Sequence, residues 1–257
     1  MPDLFDDLAG PTDADRDRAA TERRANAREL PKRFYNEAAA APEGDGFAVL
    51  LDGRPVKTPA RKGLVLPTEA LAAAVAREWA DQGTHVDPGT MHLTRLVNSA
   101  IDGVADQIDA VADDIARYAG SDLLFYRADG PERLTARQTV LWDPVVAWAE
   151  HRFAVRFRLA EGVMPVEQDE AVVASVRAAM PRDPFVLAGL HAMTTLMGSV
   201  LLAVAVLERR VTPQEAWDAA HVDEDWNVEL WGEDDEAATR RAYRRAELNA
   251  AARLAGL

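Results

Sequence analysis

The 257-residue chain is 48% hydrophobic and 28% charged, which describes a soluble globular protein with a real core, one large domain or two modest ones, rather than a disordered or fibrous one. Its 43 acidic residues against 29 basic ones give a formal net charge of -14; that field repels phosphate backbones and anionic lipid, argues against a nucleic-acid partner, and suits a basic protein surface. The chain has no cysteine, which excludes disulfides, thiolate nucleophiles and cysteine-ligated metal centres and is compatible with a reducing compartment.

Residues 1–30 are polar and too acidic for a transit peptide, without the apolar core of a signal peptide, and read as a polar arm. The first ordered signals are strands. Residues 47–51 form a short apolar run, Asp52-Gly53 is a two-residue hairpin signal, and residues 54–57 return. Residues 64–66 offer a further strand, and residues 32–36 one upstream. So small a sheet needs a helix across one face. Thr68 caps that helix, in which Leu71, Val75 and Trp79 recur every four residues before Gly83. Trp79 is then either a plug between helix and sheet, which its spacing favours, or an exposed anchor for a partner.

From about Met91 the pattern is helical. Val104, Ile108, Val111, Ile115 and Tyr118 share one face, with Gly120 as the stop. Asp143-Pro144 and Asp183-Pro184 each read as an N-cap followed by a first-turn proline, opening helices at Val145 and Phe185. Another helix is expected over residues 169–180. Residues 185–207 carry no charge and are long enough to cross about 30 Å of hydrocarbon. His191, Thr194, Thr195 and Ser199 within the run, and charges on both flanks, favour instead a central helix buried all round. Thr212-Pro213-Gln214-Glu215 has the form of a capping box, and residues 233–254 form the last helix, acidic at its start and basic after it. The fold class is α+β: a small β-rich part over residues 31–90 with one covering helix, then a helical part over residues 91–257.

The five histidines, at positions 85, 92, 151, 191 and 221, lack helical metal-site spacing, and no phosphate loop, dinucleotide fingerprint or nucleophile elbow occurs. Neither a metal nor another cofactor is expected. The densest cluster of charge is HVDEDWNVELWGEDDEA, residues 221–237, with eight carboxylates, two tryptophans and one histidine. Its order does not fit a calcium loop, and adjacent Asp223, Glu224 and Asp225 diverge around a helix. Positions 217, 221, 224, 228 and 231 share a side, so one flank is expected to pack through Trp217, Val228 and Trp231 while another presents charge. An aromatic and acidic surface of this kind suits a protein partner, since tryptophan is enriched at binding hot spots.

GFAVLLDGRPVKTPARKGLVLP, REWADQG, MHLTRLVNSAID, SDLLFYRA, WDPVVAWAE and DEDWNVELWG, in that order, resemble the mitochondrial and alphaproteobacterial assembly chaperones of the F1 ATP synthase alpha subunit, over nearly everything after about residue 31. The resemblance implies an ATP-independent chaperone, not an enzyme, that keeps unassembled alpha subunit from aggregating until it joins beta. It also implies a β-rich N-terminal and a helical C-terminal part, no nucleotide and no membrane insertion. Location would be the bacterial cytoplasm, or the mitochondrial matrix for eukaryotic relatives. The family's sensitive tryptophan matches Trp79, and its sensitive acidic residue falls on Asp223 or Glu224. Trp79, Asp223, Glu224, Trp226 and Trp231 are therefore the partner-binding candidates. The alternative from another class is a soluble enzyme or small-molecule binder whose pocket, between the two parts, includes His191 or His92.

Overall fold

The structure, a computed structural model, describes residues 30–162 and 164–257; the arm expected over residues 1–30 lies, but for Leu30, outside the described residues. Residues 30–34 and 82–87 form a short antiparallel pairing of their own. Lys32 bridges His85, the Arg33 N–H donates to Thr84 O at 3.0 Å, and the Val86 N–H donates to Pro31 O at 2.8 Å. The strand expected at residues 32–36 is reduced to that single bridge.

Residues Tyr35–Asp81 and Pro88–Leu257 form the larger unit. Its sheet is organised around β2 (Gly46–Leu51), whose Ala48, Val49 and Leu51 are buried. The Asp52-Gly53 turn takes positive φ at both residues, 47° and 77°, matching the right-handed strand twist, and returns the chain as β3 (Arg54–Pro55). β4 (Val65–Leu66) joins the same edge of β2 further along, at Phe47 and Ala48. The opposite edge holds β1 (Ala38–Glu43), antiparallel from Ala38↔Leu51 to Glu43↔Gly46. This strand, AAAAPE, escapes sequence reasoning because alanine has no preference for the pleated state; it forms where β2 offers an unpaired edge. At Gly46 a Cβ would lie 2.7 Å from Leu66 O, so only glycine admits this approach of β2 and β4.

Helix α1 (Glu69–Ala80) starts where Thr68 caps it, accepting from the Leu71 N–H at 3.3 Å. It buries Leu71, Ala72, Val75 and Ala76 in one cluster with Val49, Leu64 and Leu66. Glu78 leaves its exposed side to cap α2 (His92–Asp102): its carboxylate accepts from the Leu93 and Thr94 N–H groups at 2.8 and 2.7 Å, giving two orphan donors of a helix N-terminus a partner that the local sequence lacks. The apolar face expected from Val104 to Tyr118 is carried in pieces. A 3-10 turn holds Val104, α3 spans Ile108–Arg117, and a second 3-10 turn runs to Gly120.

Helix α4 (Glu132–Phe153) corrects the reading of Asp143-Pro144 as a helix start, because Pro144 lies inside one continuous helix. The carbonyl that loses its partner belongs to Val140, which is exposed, so water satisfies it at little cost. Next come α5 (Glu170–Ala178) and α6 (Pro184–Met197), the latter capped by Asp183, whose Oδ1 accepts from the Phe185 and Val186 N–H groups at 2.9 Å each. The long apolar run is two helices rather than one: Gly198 turns left-handed with φ 67°, and Ser199 caps α7 (Val200–Leu207). All residues of α7 but the last are buried, each large one contributing about 1.5–3 kcal/mol. Among the described residues no helix is long and apolar enough to cross a membrane.

The chain closes with α8 (Pro213–Ala220), α9 (Val222–Trp231) and α10 (Asp235–Leu254). Thr212 and Glu215 form both halves of the capping box. α10 approaches α6 so closely that a Cβ on Gly189 would lie 2.6 Å from Ala251 O. Fully buried Asp122 ties the segment before α4 to the start of α7, accepting from the Leu124 and Leu201 N–H groups at 3.1 Å each, with Ser199 and the Val200 N–H also directed at it.

Candidate partner-binding site

The break between α8 and α9 falls at His221, whose backbone leaves helical geometry at φ -116°, ψ 19°. Its side chain, 3% exposed, stacks on Trp217 with ring centroids 3.7 Å apart, and its Nδ1 lies 2.8 Å from Trp217 O. Burial holds the imidazole below its ordinary range, so it is neutral at neutral pH, a packed residue rather than a ligand.

Because the helix restarts at Val222, the stripe expected through 217, 221, 224, 228 and 231 does not persist. Trp217 and His221 are buried, but in α9 the inward residues are Val222 and Trp226. Val228 is 38%, Leu230 55% and Trp231 85% exposed. The apolar residues at the end of α9 therefore face outward, beside exposed Glu224 and the acidic run at 233–236. A shallow groove of about 300 Å³ between α9 and α10 is lined by Glu224 and Val228 of α9 and by Ala237, Arg240, Arg241 and Arg244 of α10.

The carboxylates of α9 are not equivalent. Asp223 is partly buried and accepts a 2.7 Å hydrogen bond from Gln138 Nε2. Asp225 pairs with Arg241. Glu229 receives both terminal nitrogens of Arg137 at 2.7 Å each, a fork that fixes both partners. That hydrogen bonding holds the Glu229 carboxyl below, and the Arg137 guanidinium above, their ordinary ranges. Arg133 and Arg137 also stand over the Trp226 ring at 5.6 and 5.2 Å. Among the described residues Glu224 has only a 3.8 Å approach to His221 Nε2, and it is 59% exposed. Four of the candidates thus lie on α9, two turned inward or tethered (Asp223, Trp226) and two outward (Glu224, Trp231).

Trp79 belongs to another element. It packs on α1 against Tyr35, edge to face at 5.6 Å, while Tyr35 Oη donates to Trp79 O at 2.7 Å. Its indole Nε1 is buried without a hydrogen-bond partner among the described residues. The residues that sequence reasoning missed are Arg133, Arg137 and Gln138 of α4. They reach α9 from 85 to 93 positions earlier in the sequence, and no local pattern pairs them with it.

The two histidines of the alternative reading lie in separate grooves. His191 Nε2 lies 3.0 Å from Asp114 Oδ2, and this contact, its largest influence, holds the Asp114 carboxyl low; the ring lines an apolar groove of about 450 Å³ with Leu96, Val104, Val111 and Ala188. His92 lies edge-on to Tyr243 at 4.6 Å, in a groove of about 470 Å³.

A family model described as "ATP12 chaperone protein" matches residues 32–150. Among solved structures, Atp12 from Paracoccus denitrificans is 42% identical with a TM-score of 0.79, covering 88% of this chain and 97% of its own. A variant of that protein with lysine in place of one aspartate gives the same figures. A candidate chaperone from Agrobacterium tumefaciens is 48% identical with a TM-score of 0.83, covering 88% of this chain and 86% of its own.

Proposed function

This chain belongs to the ATP12 chaperone family of ATP synthase assembly factors, and from that premise we propose that its client is the unassembled alpha subunit of F1, held without nucleotide until beta subunits replace the chaperone. The observation that carries the reading is the outward end of α9, where Trp231, 85% exposed, stands with Leu230 among carboxylates. An exposed aromatic and aliphatic patch ringed by charge marks a protein contact. Burying a tryptophan of roughly 200 Å² returns about 5 kcal/mol before the costs of association. Glu224 on the same helix and residues 233–236 just after it are exposed carboxylates, so a client surface that is apolar with a basic rim would match this end of α9.

Release requires no chemistry. A partner that binds the same client face more tightly displaces the chaperone by mass action. Asp223, Glu224, Trp226 and Trp231 are assigned to the client-binding element and Trp79 to the packing of α1, in the cytoplasm of a bacterial cell. The test is capture: tagged protein incubated with lysate in the absence of nucleotide enriches the F1 alpha subunit, and Glu224→Lys weakens the capture with the circular dichroism spectrum unchanged. Failure to enrich alpha above other abundant proteins would overturn the reading.

A further inference from the structure

Helix α9 is short, ten residues, and is cut off at both ends, by His221 before it and by Gly232 after it with φ 88°. A helix of that length is marginal by itself, and its own hydrophobic anchorage is limited to Val222 and Trp226. Its remaining attachments to α4 are polar: Asp223 in the first turn to Gln138, and Glu229 near the end to Arg137. Gln138 is 1% exposed and engaged on both sides of its amide, its Oε1 accepting from the Ala128 N–H at 2.9 Å while its Nε2 donates to Asp223. It has no surface with which to meet a client.

We propose that Gln138 is a positioning residue for client binding, acting through Asp223 to set the orientation in which α9 presents Glu224 and Trp231. This rests on the client-binding reading above. The consequence is that Asp223 contributes chiefly as a hydrogen-bond acceptor for a buried amide, and its negative charge is secondary. Lysine at 223 would then weaken capture by leaving the Gln138 amide unpaired and detaching the first turn of α9, rather than by repelling a basic client. An unmade hydrogen bond to a charged group corresponds to about tenfold or more in affinity.

The experiment compares full-length Gln138→Leu, Asp223→Asn and Asp223→Lys for affinity to purified F1 alpha subunit, and measures amide exchange of each protein alone. Asparagine keeps an oxygen for Gln138 and removes the charge. Gln138→Leu and Asp223→Lys are expected to lose about tenfold in affinity, Asp223→Asn clearly less, and the Gln138→Leu/Asp223→Lys double variant no more than the worse single one. Exchange should rise across 222–231 in Gln138→Leu and stay unchanged in α7. An Asp223→Asn loss equal to or greater than that of Gln138→Leu would overturn the proposal, as would losses that add in the double variant. If Gln138→Leu does not fold, the Asn and Lys variants at 223 decide alone: equal losses refute the acceptor role. If wild type does not bind alpha at all, the client reading fails instead, and exchange in 222–231 still tests the positioning of α9.

Discussion

Replacing Asp122 by asparagine should change how stability depends on pH in a way that isolates one buried carboxyl. Asp122 is 0% exposed, and burial pushes its carboxyl up to about 6 even though every neighbour directed at it is a donor. Set against an unfolded value near 4, that displacement corresponds to about 3 kcal/mol. The sign follows from proton binding: between pH 4 and pH 6 the folded protein holds a proton that the unfolded chain releases, so this contribution is complete below the unfolded value and is lost as pH rises through 6. Asparagine does not titrate. Wild type is therefore expected to lose about 2–3 kcal/mol relative to Asp122→Asn between pH 4 and pH 7, read from urea unfolding followed by far-ultraviolet circular dichroism. His221 acts in the opposite sense, since its depressed pKa removes stability as pH falls, but both proteins carry it and it cancels. A difference that is constant with pH would show that the four donors offset burial, and one in which wild type gains toward neutrality that they outweigh it; either result contradicts a raised Asp122 carboxyl.

Two further predictions concern packing. Trp79→Ala should cost about 3 kcal/mol through lost contact with Tyr35 and the cluster between α1 and the sheet, whereas Trp79→Phe, which keeps a ring and removes a buried N–H that has no partner among the described residues, should lie much closer to wild type in urea midpoint; an unaltered midpoint for the alanine variant with loss of capture would make Trp79 a client contact. Gly189→Ala should cost about 1–3 kcal/mol by forcing α6 away from the Ala251 carbonyl, seen as a Tm lower by several degrees, and an unchanged Tm would show that the two helices separate freely.

Local chemistry was the legible part of this fold. Asp52-Gly53, Thr68, Asp183-Pro184 and the Thr212–Glu215 box each act within four residues, and each does in the structure what its side chain or backbone freedom dictates. Asp143-Pro144 misleads for the same reason, since the pair reads identically whether the unbonded carbonyl four residues earlier lies at a helix start or on the wet side of a long helix. The break at Gly198-Ser199 is likewise a local cap, hidden inside an apolar run. At the candidate site, sequence reasoning located the element and its charge but not its orientation. The heptad-like stripe assumes an unbroken helix through His221, and once α9 restarts, Trp226 turns in and Trp231 turns out. That orientation is held by Arg137 and Gln138 from a helix some ninety residues earlier, information that resides in tertiary contacts alone.

Light scattering from isolated F1 alpha subunit, diluted out of denaturant with no nucleotide present and with increasing amounts of this protein, shows whether the protein holds that client. Aggregation is expected to be suppressed near a one-to-one ratio, Trp231→Ser to shift the required ratio upward with its circular dichroism spectrum unchanged, and added beta subunit to release the client. Scattering that is unaffected by the wild-type protein, or suppressed equally well by Trp231→Ser, would contradict the client reading.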